Sequence, residues 1–276
     1  MLEIKKLPDG VSFDLEFIDI DSIPESLQPH RHEYFEIFWV LKGTGSHSID
    51  FIKHDMSLNQ MFFITPGQVH DVHELPANIY AISFNAEFFT SHLQNQLPID
   101  KLFLQNRSDK PCIDLDECGN NHLKNLIKVV EEELTVEAPD KDLISTLLVS
   151  FLRYLMRYLE SDVQSYSDKD LRVVKVLKLI DEHFIDKKNV DFYSDKLAIS
   201  SKRLNELTKN QFDKTVKQLV HDKVIVEARR LLAFTDKTVK TISYELGYQD
   251  ESYFCRFFKR LSGVSPQKFR EKWFNY

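Results

Sequence analysis

The sequence predicts an α+β fold in two domains. An N-terminal small β-barrel with a helical segment behind it precedes an all-α domain, in which a long helix joins two helix-turn-helix motifs. Three observations carry this expectation. Residues 196–212 (KLAISSKRLNELTKNQF) return about fifty positions later as 245–261 (ELGYQDESYFCRFFKRL), so that Ser200 matches Asp250, Leu204 matches Phe254, Leu207 matches Phe257 and Lys209 matches Lys259. A short helix, a tight turn and a capped second helix, present twice, is how a chain offers two helices to two stretches of DNA major groove. The hydrophobic period also changes, from short strand-like runs before residue 85 to 3.6-residue stripes after Cys118. Finally, charge divides the chain: residues 1–167 hold 13 Lys+Arg against 27 Asp+Glu, whereas residues 168–276 hold 23 against 16.

That division gives the net charge of −7 its meaning. An acidic half is repelled by phosphate, while a basic half is steered toward it. The 276 residues suffice for two cores, and the apolar and charged fractions are those of an ordinary globular protein. Cys112, Cys118 and Cys255 lack CxxC spacing, which argues against a disulfide framework and a structural zinc site. Neither a leader-like apolar stretch near the N-terminus nor a run of about eighteen apolar residues occurs, so a cytoplasmic protein without membrane contact is expected. The expected division is 1–117 for the barrel, 118–160 for a helical dimerisation segment, 161–168 for a polar linker and 169–276 for the DNA-binding domain.

In the first half, residues 11–18, 34–41, 47–52, 61–65 and 79–84 read as strands. Gly43 and Gly45, Lys53-His54-Asp55, Pro66-Gly67 and Leu75-Pro76 read as the turns between them. Short strands at this spacing suit a small barrel or a jelly roll. Two helical stripes follow: Leu123, Leu126, Ile127, Val130 and Leu134, then Leu143, Leu147, Leu148, Phe151, Leu155 and Leu159. They are the natural element for a homodimer, the alternative being that they pack on the barrel or on each other.

One constellation has a sharper meaning. His30, His32, Glu36 and Gly43, followed by Pro66, Gly67 and His70, resemble the two signatures of the cupin barrel. The first fits H-x-H-x3-E-x6-G at every position; in the second, Asn59 stands where the family usually has Gly. The resemblance implies that His30, His32, Glu36 and His70 line a pocket for a small-molecule effector or bind a divalent metal. Imidazoles with one carboxylate suit Zn, Fe, Mn or Ni. His47, His54 and His73 read as loop or surface residues without a role.

In the second half, residues 171–184 and 190–197 read as helices, and Ser200 sits where an N-cap belongs. The next helix turns Leu204, Leu207 and Gln211-Phe212 inward, leaving Lys202, Asn205, Glu206 and Lys209 outward, and ends at Asp213. Residues 215–234 form one long helix of roughly 30 Å, near the ~34 Å between successive major-groove faces. Thr238 opens the second unit, Gly247 makes its turn and Asp250 caps its second helix. Phe254, Phe257, Phe258 and Leu261 then face inward, with Glu251, Ser252, Cys255, Arg256 and Lys259 outward. Gly263 ends this helix and Pro266 starts a last one, with Phe269 and Trp273 inward.

The runs 228–232, 242–248, 250–259 and 263–270 resemble the signature of AraC/XylS-type transcriptional regulators, over roughly Val173 to Lys272. Asp213 replaces a usual Gly, Ser243 a usual Ala and Lys223 a common Arg. The resemblance implies DNA contact by Lys202, Asn205, Glu206 and Lys209 in the first helix and by Glu251, Ser252, Arg256 and Lys259 in the second. Chemically, Arg256 can pair with guanine, Asn205 with adenine and Glu206 with cytosine, while Lys209 and Lys259 suit phosphates. A sequence-specific transcription factor is therefore expected, with promoter DNA, an effector, a second copy of the chain and RNA polymerase as partners. The alternatives are a metal-dependent cupin enzyme with a DNA-binding tail and a regulator without a ligand.

Overall fold

The computed structural model describes residues 3–20, 28–85, 88, 102–103, 111–162 and 170–273. These fall into two compact units, Glu3–Tyr166 and Ser167–Tyr276. Residues 163–168 of the expected linker lie outside the described residues.

In the first unit the strands are β1 (Glu3–Lys5), β2 (Phe13–Asp19), β3 (His30–His32), β4 (Phe35–Lys42), β5 (Gly45–Ile49), β6 (Ile52–Met56), β7 (Gln60–Ile64), β8 (Val69–Glu74), β9 (Asn78–Phe84) and β10 (Cys112–Asp114). They form two five-stranded sheets, ordered β1-β3-β8-β5-β6 and β10-β7-β4-β9-β2. The expected barrel is thus a double sheet in which no closure occurs among the described residues. Helices α1 (Glu117–Leu134) and α2 (Lys141–Asp162) follow.

Alternation along the strands explains the layering. Phe38 and Val40 of β4, Phe62 and Ile64 of β7, and Ile79 and Ala81 of β9 meet Ile49, Met56 and Val72 of the first sheet. The intervening residues, Ile37, Trp39, Met61, Phe63, Ile82 and Phe84, point the other way, onto Leu123, Ile127, Val130, Leu148, Phe151 and Leu155 of the helices. Covered on both faces, β4 is apolar without a break from Ile37 to Val40. Each such side chain contributes about 1.5–3 kcal/mol by leaving water. Trp39, fully buried, donates its indole N–H to Asn120 at 3.1 Å, fastening sheet to helix. The helical stripes therefore serve the core, although Leu134 and Leu143, expected within them, are exposed.

Strand β6 corrects the turn expected at residues 53–55. Ile49 pairs with Ile52, and the two-residue turn between them is Asp50-Phe51, with φ of 47° and 74°. Both central residues are left-handed, as this hairpin class requires. The Asp50 carboxylate holds the turn by accepting from Val69 N at 3.3 Å and Gln68 Nε2 at 3.1 Å.

The second unit contains α3 (Asp170–His183), α4 (Val190–Lys196), α5 (Ser201–Phe212), α6 (Val216–Phe234), α7 (Val239–Glu245), α8 (Glu251–Ser262) and α9 (Pro266–Trp273). Its helix ends are local chemistry. Ser200, Thr215, Thr238 and Asp250 each accept a hydrogen bond from the backbone N–H three residues on, and Thr215 forms a capping box with Gln218. Asp213 and Gly263 close α5 and α8 in left-handed conformation, with φ of 52° and 80°. The α6 strut of 19 residues is about 28 Å long. It is held to α3 by the Lys223–Asp181 ion pair at 2.9 Å, and His221 meets Phe257 of α8 edge-on.

Candidate functional site

Two arrangements of side chains stand out, one in each unit. Between the sheets, β3, β4 and β8 bring His30, His32, Glu36 and His70 together, all buried. The Pro66-Gly67 turn makes this possible: Gly67, with φ of 79°, donates its N–H to the His32 carbonyl at 2.8 Å and sets β8 beside β3. Asn59 is also left-handed, with φ of 65°, a conformation Asn tolerates better than most residues, so it can stand where Gly is usual.

His32 donates Nδ1–H to the Tyr34 carbonyl at 2.7 Å, because a carbonyl can only accept. Its other nitrogen, Nε2, then faces Glu36 Oε2 at 3.1 Å. With Nδ1 already carrying hydrogen, that second contact needs one more proton or a cation. His70 Nε2 lies 3.5 Å from the same carboxylate oxygen, yet among the described residues neither ring nitrogen has a hydrogen-bond partner. Desolvation pushes its protonation well below the ordinary histidine range, and that of His30 downward. Ser83 donates to the other Glu36 oxygen at 3.4 Å.

One ligand atom each from His32, Glu36 and His70 lies within 4.8 Å of the others. Bonds of about 2.1 Å around a tetrahedral ion place ligand atoms about 3.4 Å apart, close to the 3.1 and 3.5 Å found here. The donor set therefore fits a divalent ion. His30, expected as a fourth ligand, is outside this group; its Nδ1 donates to the Gln28 carbonyl at 3.0 Å and its ring centroid is 4.2 Å from that of His70.

His47 overturns its expected place on the surface. It is fully buried in β5, edge-on to Phe62 with centroids 4.5 Å apart, and both ring nitrogens lack a hydrogen-bond partner among the described residues. Burial holds its pKa down to about 3, so it is a neutral imidazole. The signal was its spacing of two from Ile49, another inward residue of β5.

In the second unit α5 and α8 present the other site. Leu204, Leu207 and Thr208 anchor α5; Phe254, Phe257 and Phe258 anchor α8. On the opposite faces Lys202, Glu206, Lys209, Ser252, Arg256 and Lys259 are exposed, and Glu251 is half-buried. Asn205 departs from the expectation of a free side chain: its amide oxygen accepts from Val216 N at 3.0 Å, holding the start of the strut. Reading adenine with both amide atoms would require that bond to break. Glu206 pairs with Arg203 at 3.0 Å. Leu261, expected inward, is exposed, and so is Tyr253.

Residues 12–150 match the family model of the AraC-like ligand binding domain, and residues 193–272 match that of a helix-turn-helix domain. The chain belongs to the AraC family of transcription regulators. Among solved structures, the C-terminal domain of the response regulator yesN from Fusobacterium nucleatum is 26% identical over 34% of this chain and 93% of its own, with a TM-score of 0.33. ToxT from Vibrio cholerae is 15% identical over 94% of this chain and 98% of its own, with a TM-score of 0.46. A second ToxT structure, with an unsaturated fatty acid bound, is 17% identical over 95% of each chain, with a TM-score of 0.44. No curated protein matches.

This AraC-type regulator departs from the family pattern at three places, and each has a local reason. Asp213 adopts the left-handed cap that Gly usually supplies. Ser243 is fully buried and donates to the Lys240 carbonyl at 2.7 Å. Lys223 forms an ion pair with Asp181 at 2.9 Å. Among the described residues, no helix is long and apolar enough to cross a membrane.

Proposed function

We propose that the space between the two sheets is where this AraC-family regulator receives its effector, with His30, His32, Glu36 and His70 as the polar contacts. The observation that carries this is a buried imidazole, His70, with no hydrogen-bond partner among the described residues, beside a carboxylate held by His32 and Ser83. Buried polar groups without partners are rare, because each costs about 1–3 kcal/mol, so one aimed at a cluster of others marks a ligand's place. Loss of an effector-induced thermal shift in His70→Leu, with the apo protein melting as before, is the expected result. An unchanged shift overturns the assignment.

A second reading of the same cluster is favoured by its spacing: a divalent ion held by His32, Glu36 and His70. Such an ion would replace the proton that the His32–Glu36 contact otherwise needs and could itself be the effector. Elemental analysis of purified protein separates the two readings; a stoichiometric redox metal would also raise the enzyme alternative.

In the second unit, Arg256 and Ser252 of α8 face base edges, Lys202, Lys209 and Lys259 meet phosphates, and Glu206 and Glu251 tune the choice of base. Arg256 is the central reader, being exposed and able to donate two parallel hydrogen bonds to guanine. Self-association through α1 and α2 would use the outer faces of those helices, where Val129, Leu134 and Leu143 are exposed, together with Val136 in the connection between them. A cytoplasmic location accompanies this reading.

A further inference from the structure

The helix-turn-helix units are joined by the α6 strut, but a second tie runs between them at one lysine. Lys188 lies in the connection from α3 to α4, just before Asn189, the N-cap of the first unit's opening helix. Its ammonium donates to the carbonyls of Leu246 at 2.7 Å and Gly247 at 2.9 Å, in the turn of the second unit. The same nitrogen sits 3.9 Å from the centre of the Tyr248 ring. Three different partners in one turn thus converge on a single cation. The carbonyls belong to the C-terminal end of α7, where the helix dipole favours positive charge.

Both ends of this tie are anchored. On one side Tyr193, fully buried in α4, donates its hydroxyl to the Lys187 carbonyl at 2.5 Å. Ser201 of α5 bonds both Ser194 and Asp191 of α4 at 2.9 Å, so α4 and α5 move together. On the other side Tyr248 packs on Phe254 and Phe257 of α8, centroids 5.3 Å away in each case. Gly247 is left-handed, with φ of 74°, and a Cβ there would come within 2.4 Å of the Ile185 carbonyl oxygen. The backbones of the two segments are therefore in direct contact, and only glycine fits.

We propose that Lys188 is a positioning residue for DNA recognition, which by fastening the second unit's turn to the entrance of the first sets the separation and phase at which α5 and α8 meet their half-sites. The α6 strut fixes a distance, and Arg270 of α9 clamps its exit by donating to the Leu232 carbonyl at 3.1 Å and to the Lys237 carbonyl. Lys188 adds an attachment from the first unit's side, away from the strut axis, that opposes rotation of the second unit about the strut's end. Pre-set geometry turns the second half-site contact into an intramolecular event with little entropy left to lose. This rests on the reading that α5 and α8 engage DNA together.

The test uses full-length protein and duplexes carrying one half-site, two half-sites at the preferred spacing, or two with one base pair inserted or removed between them. Lys188→Met should bind the preferred two-site duplex about tenfold more weakly while binding the one-site duplex as before. It should also lose most of the wild type's discrimination between spacings, and Lys188→Arg, which can donate to both carbonyls and stack on Tyr248, should restore it. A wild-type spacing profile in Lys188→Met of unchanged melting temperature overturns the proposal. If that variant fails to fold, Lys188→Gln, which keeps an amide donor group but loses the charge over Tyr248, must show the same loss of spacing discrimination, and a wild-type profile there overturns the proposal equally. A wild type that binds one-site and two-site duplexes alike would instead defeat the underlying reading of two engaged helices.

Discussion

Replacing His47 by leucine should make the sheet unit less sensitive to acid, by an amount the structure sets. The folded protein holds this imidazole's pKa near 3, against 6.5 for the free group, through burial. Between those values the unfolded chain binds a proton that the folded chain does not, so stability falls as pH falls through 6.5 toward 3. At pH 5.0 the linkage amounts to about 2 kcal/mol relative to pH 8. At pH 8 the substitution removes two ring nitrogens without partners and leaves an apolar side chain among Phe38, Phe62 and their neighbours, so the variant should be no less stable there. Denaturant unfolding followed by Trp39 fluorescence measures this, in a Trp273→Phe background that silences the second tryptophan. Between pH 8 and 5 the protein with His47 should lose about 2 kcal/mol more than His47→Leu. Both should retain the further acid loss due to His70, whose protonation is also pushed down. Parallel stability curves across that interval would refute the assignment of His47 as a buried neutral imidazole.

At the DNA interface, Arg256→Ala should cost about 1–3 kcal/mol and relax preference at one base, whereas Lys259→Ala should weaken all sequences alike and lower the salt slope by about 1; equal losses on specific and random duplexes for Arg256→Ala would remove it as a base reader. Asn205→Ala takes the acceptor from Val216 N and should destabilise the second unit by about 1 kcal/mol. Its DNA affinity should fall without a change of preference at any base, and a change confined to one position would restore Asn205 as a reader. Glu36→Gln should abolish stoichiometric zinc binding in calorimetry if the cluster holds an ion, and wild-type affinity would dismiss Glu36 as a ligand.

What was legible in the sequence was local. Ser200, Asp250, Thr238 and Gly263 announce helix ends because caps act within three or four residues, and the structure places all four as read. The H-x-H-x3-E pattern was legible for the same reason, since β3 and β4 are nearly contiguous. Strands β3, β6 and β8 were missed because their sequences, HRH, IKHDM and VHDVHE, are polar, and only pairing across the sheet gives them an inside. The hairpin at Asp50-Phe51 was hidden because phenylalanine rarely adopts positive φ, and what stabilises the turn comes from Gln68 and Val69, far along the chain. Asn205 and Lys188 escaped likewise. Their partners lie 11 and about 58 residues away, beyond any period or motif.

The two recognition faces are consequently unequal, although the sequence repeat makes them look alike. On α5 the outward polar groups are partly engaged already: Arg203 and Glu206 hold each other, and Asn205 supports the strut. An exposed pair of this kind is worth about 0–1 kcal/mol, so DNA can break it, but a hydrogen bond to a base made there is offset by one broken within the protein. On α8 Arg256 and Lys259 carry no ion pair among the described residues, and Phe254, Phe257 and Phe258 beneath them fix the helix through three buried rings. Direct readout should therefore concentrate on the second half-site, with α5 contributing mainly backbone contact and register. Register has value only if the distance to α8 is fixed, so under the proposed reading the Lys188 tie and the strut form one device, in which the weaker reader would set the phase at which the stronger one reads.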